Sequence, residues 1–493
     1  ISMNIHIINR YKLNYETIEK NNLILTLKNM FFPCLYTSLT TIVAFGSLLF
    51  SDIKPVIDFG KIMILSLLII FITSFTILPM LISFLPKNDN NFNLNWKINN
   101  LFLNLSLKNS LKIITINAFI FFISYWGITN LTVENSFINY FKKDTEIHKG
   151  MKLIDQELGG TTPLDVVIKF KNSSPIENID DTNDDDIDLE INDDLFTELE
   201  IEKNEGWFNY DNLETIKAVH NYLENREELG KVQSIYSLIK VAENINKNNL
   251  DAFTLNVIYK EIPELYKELL ISPYLSINKN MVKINARVLD SKNISRNQLI
   301  IDINKDLSNK FKNVEEIKVS GLLVLYNNML QSLFDSQIKS FAIVLFVIFL
   351  MFMVLFKSIK LSISGIIPNI LASSFILGLI GIMNIPLDIM TITVAAITIG
   401  IAVDNSIHYL YSVKNNIREN HFSMIESLNN SHNTVGQAVL TTSITIAFGF
   451  SVLCLSNFIP TIFFGLFTSI AMIIAMLGVL ITLPSILKYI NYK

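Results

Sequence analysis

The chain has 493 residues, 50% of them hydrophobic and only 17% charged, with a formal net charge of −5; an ordinary soluble domain carries about 25% charged residues. That deficit excludes a simple soluble enzyme and an extended disordered protein. The small net charge and the lack of a basic patch give no nucleic-acid signal, and the two cysteines, Cys34 and Cys454, sit inside apolar runs where they build neither a disulfide framework nor a metal site.

Apolar runs of roughly twenty residues are long enough to cross a bilayer. In chain order they fall at 32–50, 62–85, 111–128, 338–356, 361–383, 387–410, 437–456 and 461–487, and residues 1–8 read as the tail of one more. Basic residues assign the sides. Lys87, Lys97, Lys108 and Lys112 in the 86–112 stretch, Lys357 and Lys360 in the next turn and Lys488 and Lys493 at the end mark the cytoplasmic side, with loops 9–31 and 411–435. Alternation puts the turns at 51–61, 384–386 and 457–460 on the other side, together with the long polar stretch 129–337. The expected plan is a first-half bundle end at 1–86, a cytoplasmic linker at 87–110, a span at 111–128, an extracytoplasmic domain at 129–337 and five more spans at 338–493.

The polar stretch alternates strand-like and helix-like runs. Strands are expected at 164–170, 281–289 and 315–320, the last ended by Gly321, and helices at 211–226, 231–246 and 295–311. That alternation predicts an α+β module. Inside it lies an acidic insert, 171–205, with fourteen Asp or Glu and two Lys, a net of −12 that leaves about +7 on the rest of the chain. Its segment 181–192 fails as an EF-hand, since Asp186 and Asn192 stand where Gly and Glu are required. The insert reads as a solvated loop.

An internal repeat underlies the membrane part. At an offset of 405, TSLTTIVAFGSLLFSDIKPVIDFG (37–60) matches TSITIAFGFSVLCLSNFIPTIFFG (442–465), and Pro79 and Pro484 keep the register. Upstream, at an offset of 402, Ile5 and His6 align with Ile407 and His408, Lys12 with Lys414 and Asn14 with Asn416. Parallel repeats of this kind build transporters about a pseudo-two-fold axis along the membrane normal. The second half owns six spans and an outer domain. By symmetry the first half is expected to be incomplete, lacking three spans, most of a fourth and one outer domain.

Several stretches resemble the RND superfamily, in its MMPL-like, hydrophobe-exporter branch related to Patched and sterol-sensing-domain proteins. LDIMTITVAAITIGIAVDNSIHYLY (387–411) resembles the fourth helix of a half with its Gly-x-x-x-Asp at Gly400 and Asp404. The two TS-(L/I)-T segments resemble the helix that follows. Residues 134–170 resemble the start of the outer domain, and 320–341 its return to the membrane. The resemblance implies ferredoxin-like porter subdomains, a hydrophobic or lipid substrate, protons as coupling ions and a multi-pass place in the cell (inner) membrane. A homo-oligomer or an accessory periplasmic protein fits the same pattern.

Asp404 is the acidic residue placed deep in a span. An ionised carboxylate there costs on the order of 2.5–3.5 kcal/mol on insertion scales, so it must face the bundle interior, find a partner or take up a proton. One reading makes it the proton-carrying site, and the other a hydrogen-bonded packing residue. His408 lies one turn on, at i+4, on the same face, as a relay or as an interfacial histidine that ends the helix. Thr442, Ser443 and Thr445 on the next span are candidates to donate to the carboxylate, against ordinary packing of small hydroxyl residues. Gly400 admits a neighbouring helix and Asn405 adds polarity beside the charge. Family members often have Asp-Tyr where this chain has Asp404-Asn405. The first-half counterparts are Ser2, His6, Thr37, Ser38 and Thr40. With Ser2 opposite Asp404 in the alignment, one carboxylate replaces a pair and a single-site proton cycle is expected.

No Gly-x-Ser-x-Gly, P-loop or clustered His/Cys site occurs. No enzymatic activity, cofactor or metal is therefore expected. The leading expectation is a secondary exporter of lipids or other hydrophobic molecules, driven by protons through Asp404. The alternatives are a sterol-sensing or Patched-like lipid receptor, a SecDF-like protein-export accessory and, more remotely, a channel.

Overall fold

The computed structural model describes residues 2–17, 22–51, 53–84, 97–133, 137–171, 207–290, 295–311, 314–419 and 421–490. The chain forms two compact units, one of Ile1–Asn135 with Met329–Lys493 and one of Ser136–Asn328. The expected domain edges at 129 and 337 therefore move inward by several residues on both sides.

The first unit is a helical bundle. Its helices are α1 (Ser2–Thr17), α2 (Asn22–Gly46), α3 (Lys54–Phe84), α4 (Lys97–Lys108), α5 (Ser110–Thr129), α6 (Leu322–Phe356, which begins in the other unit), α7 (Ile359–Ile382), α8 (Ile389–Glu419), α9 (Met424–Ser451) and α10 (Ile459–Leu477). Among the described residues, seven helical stretches are long and apolar enough to cross a membrane, and they carry every expected span except 387–410. From Ile389 onward that eighth run is part of α8. The chain is thus a polytopic helical membrane protein. Leu65, Ile69 and Ile72 on α3, and Phe119 and Phe122 on α5, stay exposed, as lipid-facing side chains do. Ala372 on α7 and Ala471, Met472 and Ala475 on α10 are buried.

Two elements differ from expectation. The linker at 87–110 contains a helix, α4, which its leucines at every second position from 101 to 107 did not signal. Leu103, Asn99 and Ser106 are buried while Leu101 and Leu105 are exposed. Ser106 Oγ lies 2.9 Å from Ser485 Oγ, and Lys488 donates to the Leu107 carbonyl at 2.7 Å. In addition, α6 starts sixteen residues before the expected span at 338. Its polar opening turns still form helix, and polarity alone does not end one.

The repeat holds at atomic detail. The 3-10 turns that close α2 and α9 span Ser47–Phe50 and Val452–Leu455, the same offset of 405. In each copy a serine accepts the amide two residues on, Ile53 N to Ser51 Oγ at 3.3 Å and Phe458 N to Ser456 Oγ at 3.1 Å. Phe45 and Phe59 meet edge to face at 6.0 Å, and Phe450 and Phe464 at 5.9 Å. The copies part at the end. α3 continues through Pro79, whereas α10 passes into a π turn at Gly478–Thr482 before Pro484. A π turn of this kind accommodates the amide that proline lacks.

In the second unit, β1 (Thr162–Lys169), β2 (Leu275–Ser276), β3 (Met281–Val288) and β4 (Glu316–Ser320) form one antiparallel sheet in the order β2-β3-β1-β4. Helices fill the β1–β2 and β3–β4 connections, among them Tyr210–Glu224, Ile235–Asn246 and Arg296–Lys310. This is the β-α-β-β-α-β plan of a ferredoxin-like module. Alternation along β1 buries Leu164, Val166 and Ile168, which pack with Ile284, Ala286, Ile216, Val219 and Ile303. Each fully buried aliphatic side chain contributes about 1.5–3 kcal/mol. Gly321, at φ +100°, ends β4 as expected. The helices Glu146–Glu157 and Ala252–Glu261 were not expected from the sequence. The acidic insert, with its rejected calcium loop, lies outside the described residues.

Candidate functional site

α8 is built to be interior. Its amino end is capped by Asp388, whose Oδ1 accepts the amides of Met390 and Thr391 at 2.8 Å each. The turns that follow bury Val394, Ala395, Ala396, Ile399 and Ala402. A Cβ on Gly400 would sit 2.9 Å from Ala44 Cβ of α2. The missing side chain also lets Thr41 of α2 donate to the Gly400 carbonyl at 3.0 Å. α2 packs closely on α8 at Gly400, which joins the two copies of the repeat one turn from Asp404.

The Asp404 carboxylate points into the bundle, where the hydroxyls of Ser2 on α1 and Thr37 on α2 face it. Its Oδ1 is buried without a hydrogen-bond partner among the described residues. Thr37 donates to the Cys34 carbonyl at 3.0 Å, and Cys34 also lies near the carboxylate. The first half thus supplies the neighbours of Asp404.

Thr442, Ser443 and Thr445 do not serve the carboxylate. Asn405 donates to Ser443 Oγ at 3.0 Å and accepts from Thr442 Oγ1 at 3.3 Å. Thr445 is exposed and bonds the Thr441 carbonyl. The reason is rotational: consecutive helix residues point about 100° apart, so α9 meets the Asn405 face and α2 the Asp404 face. Asn405 therefore bridges α8 to α9. Thr40 turns back to the carbonyls of Tyr36 and Thr37, and Ser38 Oγ is buried with no partner among the described residues.

One turn beyond Asp404, the His6 and His408 rings stack with centroids 3.9 Å apart and planes 12° apart. Both residues are 4% exposed. Both Nε2 atoms are buried without a hydrogen-bond partner among the described residues. The repeat paired these two histidines by alignment, and the fold places them ring on ring.

Two buried polar groups escaped the sequence reading. Asn369 of α7 donates to Ser406 Oγ at 3.2 Å and to the Gly365 carbonyl at 2.9 Å. An amide inside the apolar run 361–383 was the available signal. His432 of α9 reaches the Tyr409 hydroxyl at 3.2 Å and the Asn99 carbonyl at 2.9 Å; its sequence context is polar and gives no signal of burial.

A family model described as the MMPL family matches residues 216–491. A membrane protein of Methanocaldococcus jannaschii is 22% identical over 368 residues, covering 73% of this chain and 85% of that protein. Among solved structures, the hedgehog release protein Disp of the water bear Hypsibius dujardini is similar with a TM-score of 0.61, at 13% identity, covering 100% of this chain and 62% of its own. SecDF in its super-membrane-facing form gives a TM-score of 0.50 at 10% identity, covering 99% of this chain and 52% of its own. The chain spans a little over half the length of these two structures, whose likeness is one of fold.

Proposed function

We propose that this chain, which belongs to the MMPL family, is part of a proton-driven secondary exporter of lipids or other hydrophobic molecules, with Asp404 as the proton-carrying group. The family and fold support a transporter of the RND type. The observation that carries the finer reading is the position of Asp404. It is an acidic side chain inside the bundle, facing hydroxyls from the other copy of the repeat and leaving one oxygen without a partner among the described residues. An intramembrane carboxylate of this kind marks a functional site by default. Its charge state alters what α8 can pack against. Protonation and release then bias two arrangements of the α1–α2 and α8–α9 pairs, as any ligand biases a two-state equilibrium.

The 136–328 unit is read as extracytoplasmic, the side from which it accepts or releases the hydrophobic substrate. The chain is read as non-enzymatic, without cofactor, in a multi-pass place in the cell membrane.

The test uses the full-length protein in proteoliposomes with an imposed proton gradient and a fluorescent phospholipid as probe. Wild type moves the probe faster with the gradient than without it. Asp404→Asn, still monodisperse and membrane-inserted, moves it no faster than vesicles without protein. Normal gradient-driven movement by that variant would falsify the assignment. Saturable lipid binding without gradient-dependent flux in wild type would instead favour a receptor.

A further inference from the structure

We infer that His6 and His408 form one shared proton station, the step after Asp404 on a path that runs along α8 to its Asn416 end. The inference rests on the proton-driven reading above and assigns His6, from the first copy of the repeat, a part in it.

The geometry begins with spacing. Asp404, His408, Ser412 and Asn416 follow one another at intervals of four residues on α8, and Ser2, His6 and Arg10 do so on α1. Residues four apart are neighbours on a helix surface, so each helix carries a polar stripe. The two stripes come together where Ser2 faces Asp404 and at the stacked rings. Beyond His408 the stripe continues on the same face with Ser412 and Asn416, which are joined by hydrogen bonds through α9. Ser412 donates to Ser431 Oγ at 2.9 Å, Asn416 donates to the same oxygen at 3.0 Å, and Asn430 donates to Asn416 Oδ1 at 3.1 Å.

The rings themselves are unusual as packing. Buried polar atoms are nearly always hydrogen-bonded, and exceptions call for an explanation. Here two imidazoles each leave Nε2 buried and unpartnered among the described residues, 3.9 Å apart by centroid. Two phenyl rings would fill the same space without that cost. Histidine is worth the cost where a proton must stop.

Stacking also fixes the capacity. Two imidazolium rings at this separation, away from water, repel strongly. One imidazolium over one neutral ring does not. The charged and titratable groups around the pair are few. From α8 there is Asp404, one turn away. From α1 there is Arg10, one turn from His6, with its Nε buried and without a hydrogen-bond partner among the described residues. From α2 there is Cys34, which lies toward Asp404. From α9, His432 is held by Tyr409 and Asn99, and Asn9 of α1 bonds the Thr434 carbonyl. The pair therefore accepts a single proton, which comes from the Asp404 carboxyl and leaves toward Ser412.

The experiment has an equilibrium arm and a flux arm, both on the full-length protein in phosphatidylethanolamine–phosphatidylglycerol vesicles. In the first, nitrogen-15 NMR of labelled histidine follows ring protonation from neutral to acid pH, with His6→Phe and His408→Phe assigning the signals. The expected result is one proton taken up per pair, with both rings responding together. After either substitution the remaining ring titrates alone. Independent titration of the two rings in wild type, or no proton uptake by either, overturns the inference.

In the second arm, gradient-driven proton entry is read by a trapped pH dye. His6→Phe and His408→Phe keep an aromatic stack, and each is expected to slow entry by about a hundredfold or more, within the range of general acid–base effects. His6→Gln and His408→Gln decide the matter if the Phe variants do not purify as monodisperse protein. Wild-type rates and an unaltered pH profile in all four variants overturn the station while leaving Asp404 standing. Wild type that ignores the gradient, or Asp404→Asn that conducts normally, overturns the proton-driven reading and this inference with it.

Discussion

Asp404 and Asn405 are adjacent in sequence and belong to different environments. The carboxylate turns to Ser2 and Thr37 from the first copy, while the amide turns to Thr442 and Ser443 from the second. The inward placement of Asp404 was legible, because a charge in an apolar run must be accounted for. Its partners were not, because the rotational phase of one helix against its neighbours is absent from a linear pattern. The prediction for Asn405 follows from what its loss would strand. Asn405→Ala removes the donor to the buried Ser443 hydroxyl, while Thr442 keeps its bond to the Val439 carbonyl at 3.0 Å, and leaving a buried group unsatisfied costs about 1–3 kcal/mol. The variant is expected to unfold at lower temperature in detergent, while gradient-driven transport at low temperature persists. A variant as stable as wild type would show that α9 is held to α8 by apolar packing alone.

At the scale of elements, the repeat was the most informative feature of the sequence, and its structural meaning is the corner between α2 and α3 and between α9 and α10. Aligned Ser, Pro, Phe and Gly residues reappear as the same hydrogen bond and the same ring contact in both copies. What the alignment did not show is that the corners differ in tightness. A Cβ added to Gly60 would lie 3.0 Å from the Phe45 carbonyl oxygen and 3.2 Å from Leu48 Cβ. On Gly465 it would lie 2.6 Å from both the Phe450 oxygen and Leu453 Cβ. Overpacking costs about 1–3 kcal/mol. Gly465→Ala is therefore expected to destabilise the protein more than Gly60→Ala, measured by thermal unfolding of the two variants side by side. Equal losses, or the reverse order, would mean that the second corner relaxes more readily than its contacts suggest. The interface helix α4 illustrates the opposite limit of legibility. Its buried face mixes Asn99 and Ser106 with Leu103, and the partners that cover it, α9 and the chain around Ser485, are distant in sequence.

For the whole molecule, sequence reasoning recovered three strands and three helices of the 136–328 unit, and it missed the helices Glu146–Glu157 and Ala252–Glu261 and the two-residue strand β2. It also located the spans, since a bilayer-length apolar run has few other uses. Orientation rests on charge alone. Lys87, Lys97, Lys108, Lys112, Lys357 and Lys360 fall on one side of the alternation, and the acidic stretch 171–205 falls on the other. By the positive-inside tendency the lysine side is expected to be the cytoplasmic one. Cysteine labelling in intact cells tests this directly, because Cys34 is buried and Cys454 can be replaced by Ser. Asn225 and Lys360 are both exposed. Asn225→Cys is expected to react with a membrane-impermeant maleimide in intact cells, and Lys360→Cys only after permeabilisation. The reverse pattern would invert the molecule. The Asn416 end of the polar stripe would then open away from the cytoplasm, and protons moving inward down their gradient would reach the stacked histidines before Asp404.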